Sequence, residues 1–264
     1  MENSDTSRYA FVTGATSGIG LAIARKLAQH GYNILYNGFG DDALIVKLQE
    51  EFEKVYKVRA HYLPGDLTKQ DDIERTCQEI LKINKTGVDV LVNNAGFQYV
   101  SPVQDFPVEK WNDMISVMLT APFIFIKHLL PGMLEKGWGR IINISSVHGQ
   151  VASKDKTAYV SAKHGIIGLT KTVALETAGT GVTCNALCPG WVGTELFWKQ
   201  VRAKAKDQGI AEEEAKNNIV SAKQPSGETV EEDHLGEAVL FMCSQAASQM
   251  TGSCLTIDGG WLAQ

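Results

Sequence analysis

Cysteine is sparse and unordered in this 264-residue chain. Its five thiols (Cys77, Cys184, Cys188, Cys243 and Cys254) are an odd, scattered set with no Cys-x-x-Cys pair. That pattern argues against a disulfide framework, and reduced thiols in a cytoplasmic compartment are the better reading. The six histidines form no cluster at metal-ligand spacing, so no metal site is expected. Positive charge is not in excess. With 25 Lys and Arg against 30 Asp and Glu, the formal charge of −5 argues against nucleic acid or an anionic membrane as the main partner. No apolar run approaches the ~20 residues that span a bilayer. The N-terminus is short and polar, without the apolar region of a signal peptide. Repeats, low-complexity tracts and linkers are also missing. What remains, 44% hydrophobic and 21% charged, is ordinary for a globular protein with one substantial core.

Tyr9-Ala-Phe-Val-Thr13 reads as a short buried strand running straight into Gly14-Ala-Thr-Ser-Gly18-Ile-Gly20. A helical pattern then carries Ile19, Ile23, Ala24 and Leu27 to a stop at Gly31. Strand, glycine turn and helix form the context in which such a motif signals a dinucleotide. Missing side chains let the backbone approach a pyrophosphate, which the helix N–H groups and dipole receive. A tight turn without ligand is the plain alternative. The candidate contacts are Gly14, Thr16, Ser17, Gly18, Ile19 and Gly20. A second strand over 33–37 lacks the acidic residue expected about 20 residues past the glycines to hold a ribose. The chain reads Asn37-Gly-Phe-Gly40-Asp41-Asp42 instead. No Lys or Arg stands there or at Ser17 to receive a 2′-phosphate, and two carboxylates would repel one. NAD is therefore expected over NADP, with Phe39 flanking the adenosine.

A charged helix over 42–54 and a third strand over 58–63 follow. Asp66-Leu67-Thr68 comes next, where Asp66 either accepts from an adenine amino group or caps a helix. A fourth strand over 88–93 ends in Asn93-Asn94-Ala95-Gly96, small residues that let a cofactor lie close to the backbone. A long amphipathic helix over 110–136 precedes a fifth strand that ends at Ser145-Ser146. After a helix over 158–178, a sixth strand (182–187) ends at Cys188-Pro189-Gly190. A polar helical segment over 191–227 breaks the rhythm. A helix over 231–244 and a last strand over 253–257 close the chain at Asp258-Gly-Gly-Trp261. This alternation predicts one α/β domain over 1–264. Its frame is a Rossmann-type doubly wound parallel sheet of about seven strands, with 191–227 as a lid over the strand C-termini.

Tyr159 and Lys163 lie four apart on one helix face. A fixed ammonium favours the phenolate. Lowering a tyrosine from pH ~10 by two or three units asks about 3–4 kcal/mol of Lys163 and any second positive charge. An exposed helical pair is the alternative when these two residues are taken alone.

Thr13-Gly-x-x-x-Gly18-x-Gly20, Asn93-Asn-Ala-Gly96, Ser146, Tyr159-x-x-x-Lys163 and Pro189-Gly190 occur together in one order. With this set the chain resembles the short-chain dehydrogenase/reductase family over nearly its whole length. The resemblance implies hydride transfer between an alcohol or ketone and a nicotinamide. It implies Tyr159 as acid/base and Ser146 as holder of the substrate oxygen. Lys163 would bind the ribose and depress the tyrosine. It adds Leu67, Asn94, Ala95, Gly96, Tyr159, Lys163, Pro189, Gly190, Val192 and Thr194 as cofactor contacts, and a homotetramer. One departure is Met118, in Val117-Met118-Leu119, where the family usually has an asparagine in a proton relay; that role is not carried over. A narrower resemblance, to members acting on a small hydroxy acid, rests on stretches such as Gly96-Phe-Gln98, Ser146-Val-His148, Lys156-Thr-Ala-Tyr159 and Cys188-Pro-Gly-Trp191. It implies substrate contacts by Gln98, His148, Lys156, Trp191, Gln200 and Trp261. A small carboxylate needs a cation (Lys156) and donors (Gln98, His148, Gln200) to offset desolvation, while indoles wall off a methyl group. A reductase of 3-oxoacyl thioesters, with Lys199, Arg202, Lys204 and Lys206 at its mouth, stays open. So does a nucleotide-binding homologue without turnover.

Overall fold

A computed structural model describes residues 8–264. Short runs of apolar residues without polar alternation belong in a parallel sheet covered on both faces. Accordingly β1 (Tyr9–Val12), β2 (Asn33–Tyr36), β4 (Val90–Asn93), β5 (Gly139–Ile144) and β6 (Val182–Pro189) are buried at every position. The partly exposed β3 (Ala60–Tyr62) and β7 (Cys254–Ile257) form the edges of a seven-stranded sheet, ordered β3-β2-β1-β4-β5-β6-β7. Every pairing is parallel. The strand order reverses between β1 and β4, which opens a crevice beyond their C-termini.

Helices α1 (Gly18–Gln29), α2 (Asp42–Glu50) and α9 (Glu232–Cys243) cover one face through Ile23, Leu27, Leu48, Leu235 and Val239. Helices α3 (Gln70–Ile83), α4 (Val108–Ile115), α5 (Ala121–Lys136) and α6 (Thr157–Glu176) cover the other through Ile73, Ile80, Met114, Phe125, Leu129 and Val173. The segment expected as a lid forms α7 (Glu195–Gln208) and α8 (Glu212–Ser221). They share a small core of Phe197, Val201, Ala205, Ala215 and Val220. The two roots of this segment are tied together, with Gly193 N donating to Val230 O at 3.0 Å and Val230 N to Trp191 O at 2.8 Å.

Two expectations change. The long helix over 110–136 is interrupted by a π-turn at Ser116–Thr120, with Met118 buried in it. Pro122 has no N–H for the Met118 carbonyl, so the regular ladder opens there. Also, the stretch Val108–Lys136 is long and apolar enough, by length and composition, to cross a bilayer, contrary to the sequence reading. Half of its most apolar window is buried, and Phe125 meets Phe11 of β1 edge-on at 5.1 Å, as befits a core helix.

Gly132 in α5 backs directly onto the Thr86 carbonyl, into which a Cβ would run. Gly132→Ala is expected to cost about 1–3 kcal/mol of stability. Calorimetry should register this as a Tm lower by several degrees, with activity per folded molecule unchanged.

Candidate active site

At the strand C-termini lies one cavity of about 590 Å³. The ends of β1 and β4 are stitched together beneath it. Thr13 Oγ1 accepts from Asn94 N and Ala95 N at 3.0 Å each, and Asn94 Nδ2 donates to Thr13 O at 2.8 Å. Five glycines of the sequence motifs lie here, and four of them make room for the chain itself. A Cβ on Gly14 would meet Ala95 Cα at 3.0 Å, and one on Gly96 would meet Met118 Sδ at 3.2 Å. On Gly20 it would strike the Gly14 carbonyl, and on Gly190 the Gln224 amide. Of these five, only at Gly18, at φ +56°, would a Cβ meet nothing closer than ordinary van der Waals contact, with Thr194 Cγ2 at 3.8 Å and Glu232 Oε1 at 3.9 Å from its Cβ position. Gly20, expected as a cofactor contact, instead seats the turn on the helix and does not line the cavity. The remaining expected cofactor residues all line it: Gly14, Thr16, Ser17, Gly18, Ile19, Phe39, Asp66, Leu67, Asn94, Ala95, Gly96, Tyr159, Lys163, Pro189, Gly190, Val192 and Thr194.

At one end the walls are fixed by short polar contacts. Thr16 Oγ1 donates to Phe39 O at 2.7 Å, and Tyr62 Oη to Gly38 O at 2.8 Å. The Asn37 amide is committed to the carbonyls of Leu63 and Gly65 at 2.9 and 3.1 Å. Phe39, 81% exposed, stands at the mouth. Asp66 Oδ1 accepts from Thr68 N and Oγ1 at 3.0 and 2.8 Å, and Asp41 caps α2 through Leu44 N at 2.8 Å. Among the described residues the sole Lys or Arg lining the cavity is Lys163.

At the cavity's centre, Ser146 stands two residues past the end of β5, and its Oγ accepts from His148 N at 3.2 Å. Tyr159, in the first turn of α6, hydrogen-bonds with the Ser146 and Gln98 side chains. Burial pushes its phenol above the ordinary value, and those two hydrogen bonds offset that only in part. Lys163 is buried one turn further on. Its ammonium donates to Ile144 O at 2.6 Å and stands 5.5 Å from the Tyr159 ring centre. Burial lowers Lys163 to about 8. The expected depression of Tyr159 by Lys163 is thus absent: the ammonium is turned to a strand carbonyl, and the phenol keeps its proton.

Beyond Tyr159 the lining is aromatic. His148 meets Tyr159 and Trp261 edge-on at 6.0 and 5.4 Å, and Trp191 packs on Trp261 and Phe197 at 5.6 Å each. Gln98, His148, Trp191, Gln200 and Trp261 line the cavity. Lys156, expected beside them as a substrate contact, does not. It is buried behind Trp191, its ammonium 5.2 Å from the indole ring centre. Asp155, held at φ +63°, and the hydrogen bond from Ser101 N to Asp155 O (2.9 Å) fix it there. Among the described residues no carboxylate lies within 4.0 Å of it. The buried Trp191 Nε1 also lacks a partner. Burial lowers Lys156, and burial, helped by the charges of Lys156, Lys223 and His164, takes His148 down to about 4. Sequence reasoning missed Val117, Phe197 and Glu232, which also line the cavity. Val117 lies beside the Met118 departure and Phe197 three residues past Thr194, but no local pattern marked Glu232.

A model of the short chain dehydrogenase family matches residues 8–205, and the chain belongs to that family. Over 258 residues it is 50% identical to the D-beta-hydroxybutyrate dehydrogenase of Cupriavidus necator, covering 97% of this chain and 98% of that protein. It is 45% identical over 258 residues to the protein of the same name from Rhizobium meliloti strain 1021, covering 98% and 100%. The L-sorbose reductase of Gluconobacter frateurii, solved in complex with NADPH and L-sorbose, matches with a TM-score of 0.92 at 25% identity over 100% of both chains.

The lowered His148 has a consequence for stability. The unfolded chain takes up its proton near pH ~6.5, the native protein only near 4. Stability should therefore fall as pH drops through that window, by up to about 3 kcal/mol from this residue. Urea midpoints from about pH 7 to about pH 4.5 should show His148→Gln with a shallower decline than wild type; parallel profiles would contradict the assignment.

Proposed function

We propose that this protein interconverts (R)-3-hydroxybutyrate and acetoacetate with NAD as coenzyme. The observation that carries the substrate is Lys156. A buried ammonium without a carboxylate is costly, and a small carboxylate ligand offsets that cost. The orphan Trp191 N–H beside it is a second donor for the same group, reached when the indole shifts. The two relatives named D-beta-hydroxybutyrate dehydrogenase support the same reading.

The cavity fits a dinucleotide because Ser17, Gly18 and Ile19 line it where helix α1 begins, and a helix N-terminus receives phosphate. Ser17 to Ile19 would receive the diphosphate, Phe39 and Asp66 would flank the adenosine, and Asn94, Ala95, Pro189, Val192 and Thr194 would border the nicotinamide half. Bound there, the nicotinamide supplies the hydride donor or acceptor for substrate C3. Ser146 and Tyr159 present their hydroxyls together, and so hold the substrate oxygen. Because Tyr159 keeps its proton, it serves directly as the acid that protonates this oxygen when acetoacetate is reduced. In the oxidative direction the same phenol must give its proton up. That step needs Lys163 to release the Ile144 carbonyl and turn its charge toward the ring and the ribose hydroxyls. His148, neutral at physiological pH, and Gln98 and Gln200 add neutral donors around the carboxylate. Among the described residues no Lys or Arg lines the adenosine end, and Asp41 and Asp42 follow Phe39 in the chain, which supports NAD over NADP. A homotetramer is part of the same proposal, to be checked by sedimentation.

NADH consumption with acetoacetate tests the reading. Wild type is expected to turn over, with NADH preferred to NADPH by at least about tenfold in kcat/KM. Tyr159→Phe should lose about 10²–10⁴ in kcat. Lys156→Ala should mainly raise the acetoacetate KM, by about 10- to 100-fold. A wild type that ignores acetoacetate but reduces a 3-oxoacyl thioester would overturn the substrate.

A further inference from the structure

We propose that Glu232 sets how tightly and how long the coenzyme is held, by facing its diphosphate with a carboxylate. The proposal rests on the dinucleotide reading of the cavity. Glu232 opens α9, which packs along α1 and so brings its first turn beside the glycine turn. It lines the cavity, and its Oε1 stands 3.9 Å from the Cβ position of Gly18, the one glycine of the turn where a Cβ would not press on the protein's own atoms. The methyl of Thr194, at the root of the lid, stands on the same spot at 3.8 Å.

The charges around Glu232 are otherwise committed. Arg25 of α1 is held by Glu51 at 2.7 and 2.9 Å. Lys26 of α1 takes Asp233 and Glu237 of α9 at 2.8 and 2.9 Å. Glu231 and His234 cap each other's backbone at the start of α9, and Glu195, which also lines the cavity, pairs with Arg202. Glu232 itself has no ion pair within 4.0 Å among the described residues. Burial, then the neighbouring Glu231, holds its carboxyl above the usual carboxylate range, and Arg25 opposes them. Helix dipole and backbone N–H groups draw a diphosphate to this turn. An unpaired carboxylate at the same place opposes that attraction, weakens the complex and speeds its dissociation. In many enzymes of this kind product release limits turnover, and there faster release is an advantage.

The test is a fluorescence titration and stopped-flow release of NADH, and of NADPH, with wild type, Glu232→Gln and Asp233→Asn. Glu232→Gln should lower the Kd of the bound form about three- to tenfold, mainly through a slower off-rate. The difference should shrink at high salt. It should also close as pH falls, because wild type then protonates Glu232 and comes to resemble the variant. Asp233→Asn, whose carboxylate is committed to Lys26, should leave Kd within about twofold. Losing a helix N-terminal charge can lower Tm but cannot tighten a ligand, so a merely structural role predicts no gain in affinity. Equal or weaker binding by Glu232→Gln, with wild type binding a dinucleotide normally, overturns this proposal alone. If wild type binds neither dinucleotide, the cofactor reading fails first and takes this one with it.

Discussion

Two ammonium groups buried without a carboxylate partner among the described residues set the terms for the whole rim of this sheet. Lys163 is fastened at both ends to the strand beside it. Its ammonium donates to Ile144 O at 2.6 Å, and its backbone carbonyl accepts from Ser145 Oγ at 3.0 Å. Gly149 lets the helix come that close, since a Cβ there would press on Ser145 Oγ and the Lys163 carbonyl. One turn earlier on the same helix, Tyr159 is thereby held against Ser146. Lys156, fixed by the Asp155 turn, is the second such charge. A carbonyl dipole satisfies the first ammonium only in part, and the second has an indole face in place of a counter-ion.

The same burial governs protonation. It lowers Lys163, Lys156 and His148 and raises Tyr159, so every group at the centre is pushed toward its neutral form. A site of this kind is cheap to keep dry, and charge delivered by ligands then has a large effect. The side-chain hydrogen bonds of Ser146 and Gln98 to the phenol are the counterweight that keeps the tyrosine from drifting further up.

Much of this was legible in the chain. Unbroken apolar runs such as Ala10-Phe-Val12 and Val90-Leu-Val92 can only be central strands, and their alternation with helices leads to one parallel sheet. The motif residues then fall on one rim, because turns after parallel strands share an end. What stayed hidden was direction. A glycine motif says that side chains are missing but not which side of the turn is vacated, and Gly14, Gly20, Gly96 and Gly190 yield to the protein's own atoms. Spacing of four puts Lys163 beside Tyr159, yet the ammonium follows the nearer Ile144 carbonyl. The break at Met118 comes from Pro122, a local rule that the apolar periodicity masked. Glu232 reaches the cavity from a helix with no recognisable signature, through packing alone.

The central claim is that a buried, uncompensated Lys156 selects a carboxylate. The most direct measurement compares kcat/KM for acetoacetate and for its uncharged methyl ester, in wild type and in Lys156→Met. The account predicts a strong preference for the acid in wild type, most of which disappears in the variant through loss of the acid rather than gain of the ester. An unchanged preference in Lys156→Met would contradict it and place the recognition of charge elsewhere.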